Sequence, residues 1–105
     1  MTSGKLDDAL VALQIWYDSN CNGEWEHEYG ISISTVDNPG WAVSIPLAET
    51  SLESRSFVPV EFSTSRDDWL HCRVSESKFL GDGDSMKLYE IVRMFVEWAS
   101  ESTVE

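Results

Sequence analysis

The chain has 105 residues, of which 42% are hydrophobic and 11% aromatic, so it can build one core and is not a disordered acidic tail. It carries 19 acidic and 7 basic residues, a net charge of −12 at pH 7, which disfavours nucleic acid and anionic membrane surfaces as partners. We therefore expect a single domain over residues 1–105, whose charge suits a basic protein partner.

The first predicted element is an amphipathic helix. Leu6, Leu10, Leu13 and Tyr17 recur at helical spacing and form one apolar stripe, which Ala9 and Trp16 flank. Asparagine and glycine in residues 19–23 can adopt the left-handed conformation that closes helices, so we expect the helix to end there.

Two strands are predicted next, because residues 27–35 and 41–48 alternate between apolar and polar side chains. Residues 38–40, Asn-Pro-Gly, supply the turn between them. A two-residue loop would put the two apolar rows on opposite faces of the sheet, so we predict an odd loop or a bulge. The three-residue alternative that we favour places Ile33 opposite Ile45.

The next predicted segments are also extended. Residues 57–62 form an extended segment whose proline indicates an edge or an irregular stretch. Residues 67–75 form a strand with Leu70, Cys72 and Val74 on one face and Trp69, His71 and Arg73 on the other. A short strand around residues 79–80 follows.

A second helix closes the chain. Residues 81–85 break the strand pattern and cap this helix, whose apolar stripe runs through residues 88–99. The predicted class is therefore α+β: an antiparallel sheet of about four strands, connected as a meander and flanked by an N-terminal and a C-terminal helix, in two layers.

Charge is distributed unevenly along the chain. Between Lys5 and Arg55 there is no lysine or arginine, yet there are nine carboxylates. Trp25 lies among these acids with no apolar row to join, so we interpret it as an exposed interface anchor. The alternative is that its indole covers the end of the first helix. The candidate partner-binding residues are Glu24, Trp25, Glu26, Glu28 and Asp37.

Few residues point to catalysis, and we expect a protein that is not an enzyme. Cys21 lies at the negative end of the first helix, which disfavours a thiolate, and Cys72 resembles a small buried hydrophobe. The alternative is a small thiol-dependent, sulfurtransferase-like enzyme, which requires Cys21 and His27 to lie within hydrogen-bond reach, directly or through one water, in a concave site. A third interpretation is a homo-oligomer joined through the edge at residues 57–62.

The sequence shows no secretory signal pattern and no membrane-spanning apolar run, so we expect a cytoplasmic protein with reduced thiols. Two cysteines and two histidines offer no metal-site spacing. Residues 82–84, Asp-Gly-Asp, are too short a match to a calcium loop and fit a turn and helix cap instead.

Several motifs together resemble the immunity protein 53 family of bacterial polymorphic toxin systems. The resemblance covers nearly the whole chain and is carried by Trp16-Tyr17, by residues 21–30 (CNGEWEHEYG), by residues 35–41 (TVDNPGW), by Asp68-Trp69 with Cys72, Val74 and Phe79, and by residues 95–99 (FVEWA). It implies a cytoplasmic antidote that binds a cognate toxin, with no cofactor. It assigns no binding residues.

Overall fold

The computed structural model describes the backbone of residues 5–101 and the side chains of residues 8–101. The side chain of Leu6, part of the predicted helical stripe, lies outside the described residues. The elements are α1 (Lys5–Asn20), α2 (Trp25–Glu28), β1 (Ser32–Val36), β2 (Gly40–Pro46), β3 (Val60–Ser65), β4 (Asp68–Ser75), β5 (Lys78–Gly83) and α3 (Leu88–Ala99). The α+β class with helices at both ends is confirmed, but the sheet has five strands rather than about four.

The strand order is β1-β2-β5-β4-β3, and every neighbouring pair is antiparallel. The predicted meander is wrong at one point, because β2 pairs with β5 and not with β3. Burial explains the order: β1 and β3 are almost wholly exposed, whereas β2, β4 and β5 alternate buried and partly buried residues. The polar strands therefore take the two edges and the apolar strands take the centre.

The hairpin between β1 and β2 has the odd loop that was predicted. Val36 pairs with Gly40 across a loop of three residues. Ile33 lies opposite Val43 rather than opposite Ile45, so the predicted register was wrong by two residues. Because side chains alternate with a period of two, this shift leaves both apolar rows on the same face.

Phe57, in the segment just before the edge strand β3, packs against the core of the molecule. The ring of Phe57 packs at 5.4 Å from Phe79 and at 5.3 Å from Trp98. The register between β3 and β4 shifts between Ser63 and Ser65. Such an irregularity disfavours the pairing of an edge with another strand.

Residues 25–28 form the short helix α2 and not the start of a strand, which corrects the predicted first strand. The side-chain oxygen of Asn22 accepts hydrogen bonds from the backbone N–H groups of Glu24 and Trp25, both at 2.9 Å. The Glu26 carboxylate accepts bonds from the N–H groups of Asn22 and Gly23 at 2.9 and 2.8 Å. These local bonds offer the backbone an alternative to a sheet ladder.

Residues 81–83 belong to β5, although the sequence pattern predicted a break there. A methyl group added at Gly81 would overlap Cγ2 of Ile91, and one added at Gly83 would lie 2.7 Å from Cβ of Lys87. Ile91 lies in α3, and Lys87 directly precedes it. The glycines therefore let α3 cross close to the sheet.

The core lies between α3 and one face of the sheet. Its fully buried side chains include Ile45, Leu70, Phe79, Ile91 and Phe95. Helix α1 adds Ala9 and Leu13 to this cluster, and the ring of Trp16 lies 4.9 Å from that of Phe95.

The buried side of α1 carries Ala9, Leu13 and Trp16, so the predicted stripe holds at Leu13 and its flanks but is wrong at Leu10. Leu10 is 47% exposed, although the sequence placed it in the apolar stripe. Val11 and Ile15 are exposed as well, at 50% and 64%. The reason is that α1 rests on α3 through the side of the helix that carries Ala9 and Leu13.

Candidate functional site

Trp25 is buried, so the expectation of an exposed aromatic anchor is wrong. Its indole is 3% exposed, and its N–H donates to the carbonyl oxygen of Ala48 at 3.0 Å. The rings of Trp16, Tyr17 and Tyr29 surround it at 5.8 to 6.1 Å. Helix α2 turns the indole inward, where it covers the end of α1.

The acids around Trp25 lie together at the surface. Glu24 and Glu28 are exposed and border a cavity of about 410 Å³ together with His27 and Glu49. We call this cavity, lined by residues 22–25, 27, 28 and 49, the acidic cleft. It gathers carboxylates from two separate parts of the chain.

The pKa of Tyr29 is raised by burial and by the carboxylates in and beside the acidic cleft. Its hydroxyl donates to Oε2 of Glu49 at 3.3 Å. Burial raises the pKa of Tyr29, and the nearby charges of Glu49, Glu28 and Glu53 raise it further. Three carboxylates therefore act on one hydroxyl group.

Glu26 has a structural position within this segment. Both of its carboxylate oxygens accept backbone N–H groups, those of Asn22 and Gly23. Hydrogen bonding lowers the pKa of Glu26, first from its own backbone N–H and then from those of Asn22 and Gly23. The side chain thus holds the turn that presents Glu24 and Glu28.

Asp37 lies away from the acidic cleft, in the loop of the β1–β2 hairpin. It borders a second cavity of about 630 Å³, whose other lining residues are Val36, Asn38, Trp41, Glu61, Trp69, His71 and Asp82. The strand register places Glu61, His71 and Asp82 side by side on the sheet face opposite the core, which we call the open face. The predicted acidic surface is therefore divided between two places.

Among the described side chains, the ion pairs all lie in the second half of the chain. Within residues 8–101 there are five ion-pair contacts, and their acidic partners are Asp68, Asp82, Asp84, Glu90 and Glu97. In the same described part, none of these contacts involves Glu24, Glu26, Glu28, Asp37, Glu49 or Glu53. The negative potential of the first half is therefore not cancelled by local cations.

The thiol chemistry considered from the sequence has no direct Cys21–His27 hydrogen bond among the described residues. The Cys21 thiol donates instead to the carbonyl oxygen of Tyr17 at 3.4 Å. His27 borders the acidic cleft, whereas Cys21 does not. The described residues also contain no group of three or more His, Cys, Asp or Glu placed to hold a metal ion.

Cys72 is a core residue, as predicted. It is fully buried on the face of β4 that meets α3. Burial raises its pKa to about 11, which suppresses the thiolate.

Sequence reasoning assigned no site to the open face. The alternation of β4 had already placed Trp69 with His71 and Arg73 on its polar side. The position of Trp69 on the polar face of a strand was a signal of a site there. The other residues of that site could not be named without the strand order, which brings Glu61 and Asp82 alongside His71.

Comparison with known families identifies the class of protein. The sequence profile described as immunity protein 53 matches residues 10–100, so the chain belongs to the immunity protein 53 family. This family membership implies an immunity protein of a toxin system, with a toxin as its partner. No curated protein and no solved structure matches the chain. The helices among the described residues do not reach the length and apolar character that a membrane span requires.

Proposed function

We propose that this immunity protein binds its cognate bacterial toxin in the cytoplasm and neutralises it by occluding the toxin surface. The observation that carries the proposal is the set of carboxylates in the first half of the chain that lack ion pairs among the described residues. A toxin with a basic cleft is the complementary partner. Glu24, Glu28 and Asp37 are the proposed contacts, while Glu26 and Trp25 hold the acidic segment in place.

The backbone around the acidic cleft supports a preorganised surface. The Asn22 and Glu26 side chains fix α2 through bonds of 2.8 to 2.9 Å. On the other side, the N–H of Glu49 donates to Oε1 of Glu53 at 3.1 Å, and Glu49 has a φ of 63°. A backbone held in this way does not have to be ordered when a partner binds.

Electrostatic attraction of this kind acts mainly on the rate of association. Opposite charges steer two proteins into contact, and salt screens that attraction over about 8 Å at physiological ionic strength. Tight binding requires a buried centre in addition, since a few desolvated residues dominate most interfaces. The acidic cleft therefore accounts for encounter with the toxin and for the choice of a basic partner.

A charge-removal experiment tests the role of the acidic cleft. The variant E24Q/E28Q/E49Q removes three charges while keeping the size of each side chain. We expect about tenfold slower association at low salt and a flatter dependence on salt. The partner is a catalytically inactive form of the protein encoded by the adjacent gene. The readout is the association rate constant, measured by stopped flow at several salt concentrations from roughly 20 to 300 mM.

A matched control separates the acidic cleft from net charge. D67N/E76Q/E101Q removes the same number of charges from exposed positions outside the cleft. We expect this control to associate much closer to the unmodified rate. Equal slowing in both triple variants would show that overall charge, and not the cleft, steers the partner.

A further inference from the structure

The open face of the sheet carries a pocket built around Trp69. The indole projects from β4 across the sheet, because its Cζ2 lies only 3.4 Å from where a side chain at Gly40 of β2 would begin. Between these strands lies β5, where Gly83 pairs with Leu70 on one side and with Trp41 on the other. We call this cavity of about 630 Å³ the Trp69 pocket; every lining residue belongs to a strand or to the β1–β2 loop.

The indole of Trp69 differs from three other tryptophans in its hydrogen bonding. Trp25, Trp41 and Trp98 each donate to a distant backbone carbonyl, at 2.8 to 3.0 Å. The N–H of Trp69 has no acceptor in the part of the chain that the structure describes, and it is not a buried unsatisfied atom. Trp69 is partly exposed and lines the cavity on the open face, and its N–H is accessible to solvent.

Three carboxylates, those of Asp37, Glu61 and Asp82, line the same cavity as Trp69. Asp37 and Glu61 are exposed, and neither forms an ion pair within the described residues. Asp82 is the exception, since its Oδ2 accepts a bond of 2.9 Å from Arg73. The Trp69 pocket thus has a negative rim that a cationic group can approach.

We propose that the Trp69 pocket receives an arginine side chain of the toxin, an inference that rests on the proposed function. A guanidinium group is planar, stacks on an indole and donates up to five hydrogen bonds, so it fits an aromatic floor with carboxylates at its rim. A lysine ammonium lacks both the plane and the fork of donors.

A second copy of this chain suits the pocket poorly. Two molecules of charge −12 repel each other. Of the four arginines, Arg66 is exposed, and the other three are engaged within their own chain: Arg55 binds the carbonyl of Trp98, Arg73 binds Asp82, and Arg93 binds Glu90 and Glu97. A basic partner therefore complements the pocket better than self-association does.

Calorimetric titration with the inactive protein encoded by the adjacent gene tests this inference. Trp69→Leu removes the aromatic ring, so we expect about tenfold weaker binding, whereas Trp69→Phe retains a ring and should lose only about threefold. D37N/E61Q should also weaken binding about tenfold. D67N/E76Q removes the same charge elsewhere and should bind like the unmodified chain, and thermal unfolding checks that every variant is folded.

The possible outcomes separate this inference from the proposed function. If the unmodified chain binds and folded Trp69→Leu and D37N/E61Q bind equally well, the arginine pocket is overturned while toxin binding stands. If these variants weaken binding and E24Q/E28Q/E49Q has no effect, the arginine pocket is supported and the proposed role of the acidic cleft is contradicted. If the unmodified chain does not bind, both proposals fail. Concentration-dependent dimers abolished by Trp69→Leu would assign the pocket to a second copy and overturn the arginine proposal.

Discussion

At the scale of single residues, Trp25 shows how position in the sequence can mislead. Its neighbours in sequence are acids, which predicted exposure, yet its hydrogen-bond acceptor is Ala48, 23 residues away. The sequence showed that Trp25 lies beside turn signals. It could not show which distant carbonyl would satisfy the indole N–H once α2 had turned the ring inward.

Replacing Trp25 with alanine should strongly destabilise the protein. The change empties a site enclosed by Trp16, Tyr17 and Tyr29 and leaves the Ala48 carbonyl without its donor, so we expect a loss of about 3–5 kcal/mol in the free energy of unfolding. Val58→Ala, at a side chain that is 81% exposed, should change it by less than about 0.5 kcal/mol. Urea unfolding provides the measurement, and similar values for the two variants would contradict the burial of Trp25.

Asp84 is the one buried charged residue among the described side chains, at 3% exposure. Its carboxylate accepts the N–H groups of Trp69 and Met86 and lies 2.7 Å from Nζ of Lys87. Desolvation raises the pKa of Asp84, but the bonds from Lys87, Met86 and Trp69 outweigh it and lower the pKa from 3.8 to about 2. This carboxylate ties the end of β5 to the start of α3.

The lowered pKa of Asp84 predicts a particular pH dependence. A lowered folded-state pKa stabilises the protein above about pH 4, and this contribution is lost as the pH falls towards 2. We expect Asp84→Asn to reduce the free energy of unfolding by about 2 kcal/mol at pH 7 and by clearly less near pH 2. Asp67→Asn is the exposed control. A difference from the unmodified chain that stays constant across this range would contradict the assignment.

At the scale of elements, the contact between β5 and α3 depends on glycine. Gly81 faces the core, where any side chain would overlap Ile91. In the sequence, the two glycines in residues 81–83 resemble a break, because glycine is usual in turns. Their role in a strand emerges only when the position of α3 is known.

Replacing Gly81 with alanine should therefore destabilise the molecule. We expect a loss of about 1–3 kcal/mol from the overlap with Ile91. Gly30→Ala is the matched control, since nothing lies within 4 Å of an added methyl group there, and it should be close to neutral. The double variant Gly81→Ala/Ile91→Ala should lose less than the sum of its single changes. Strict additivity in urea unfolding would contradict the contact.

Several elements could be predicted because their signals are local. The periodicity of residues 88–99 predicted α3, the alternation of residues 67–75 predicted β4, and the matching of apolar rows predicted the odd hairpin loop. Helix α2 depends on side-chain to backbone bonds from Asn22 and Glu26, which periodicity does not detect. Strand order depends on which strands have a neighbour on each side and bury more of their residues, and that is a property of the assembled sheet.

At the scale of the whole molecule, the charges are arranged asymmetrically. The basic side chains that form ion pairs, Arg73, Lys87 and Arg93, all bind acids from β4 onward. The sequence shows that no lysine or arginine lies between Lys5 and Arg55. It could not predict that the fold would present these acids on two surfaces, the acidic cleft and the open face.

The most direct test of the account is a titration of toxin activity with the purified immunity protein. The candidate toxin is the active product of the adjacent gene, and the same samples are examined by size-exclusion chromatography. We predict that activity falls linearly to zero at about one equivalent as a stable complex appears, because occlusion removes one toxin site for each protein bound. Full toxin activity at excess immunity protein, with or without a complex, would contradict neutralisation by occlusion.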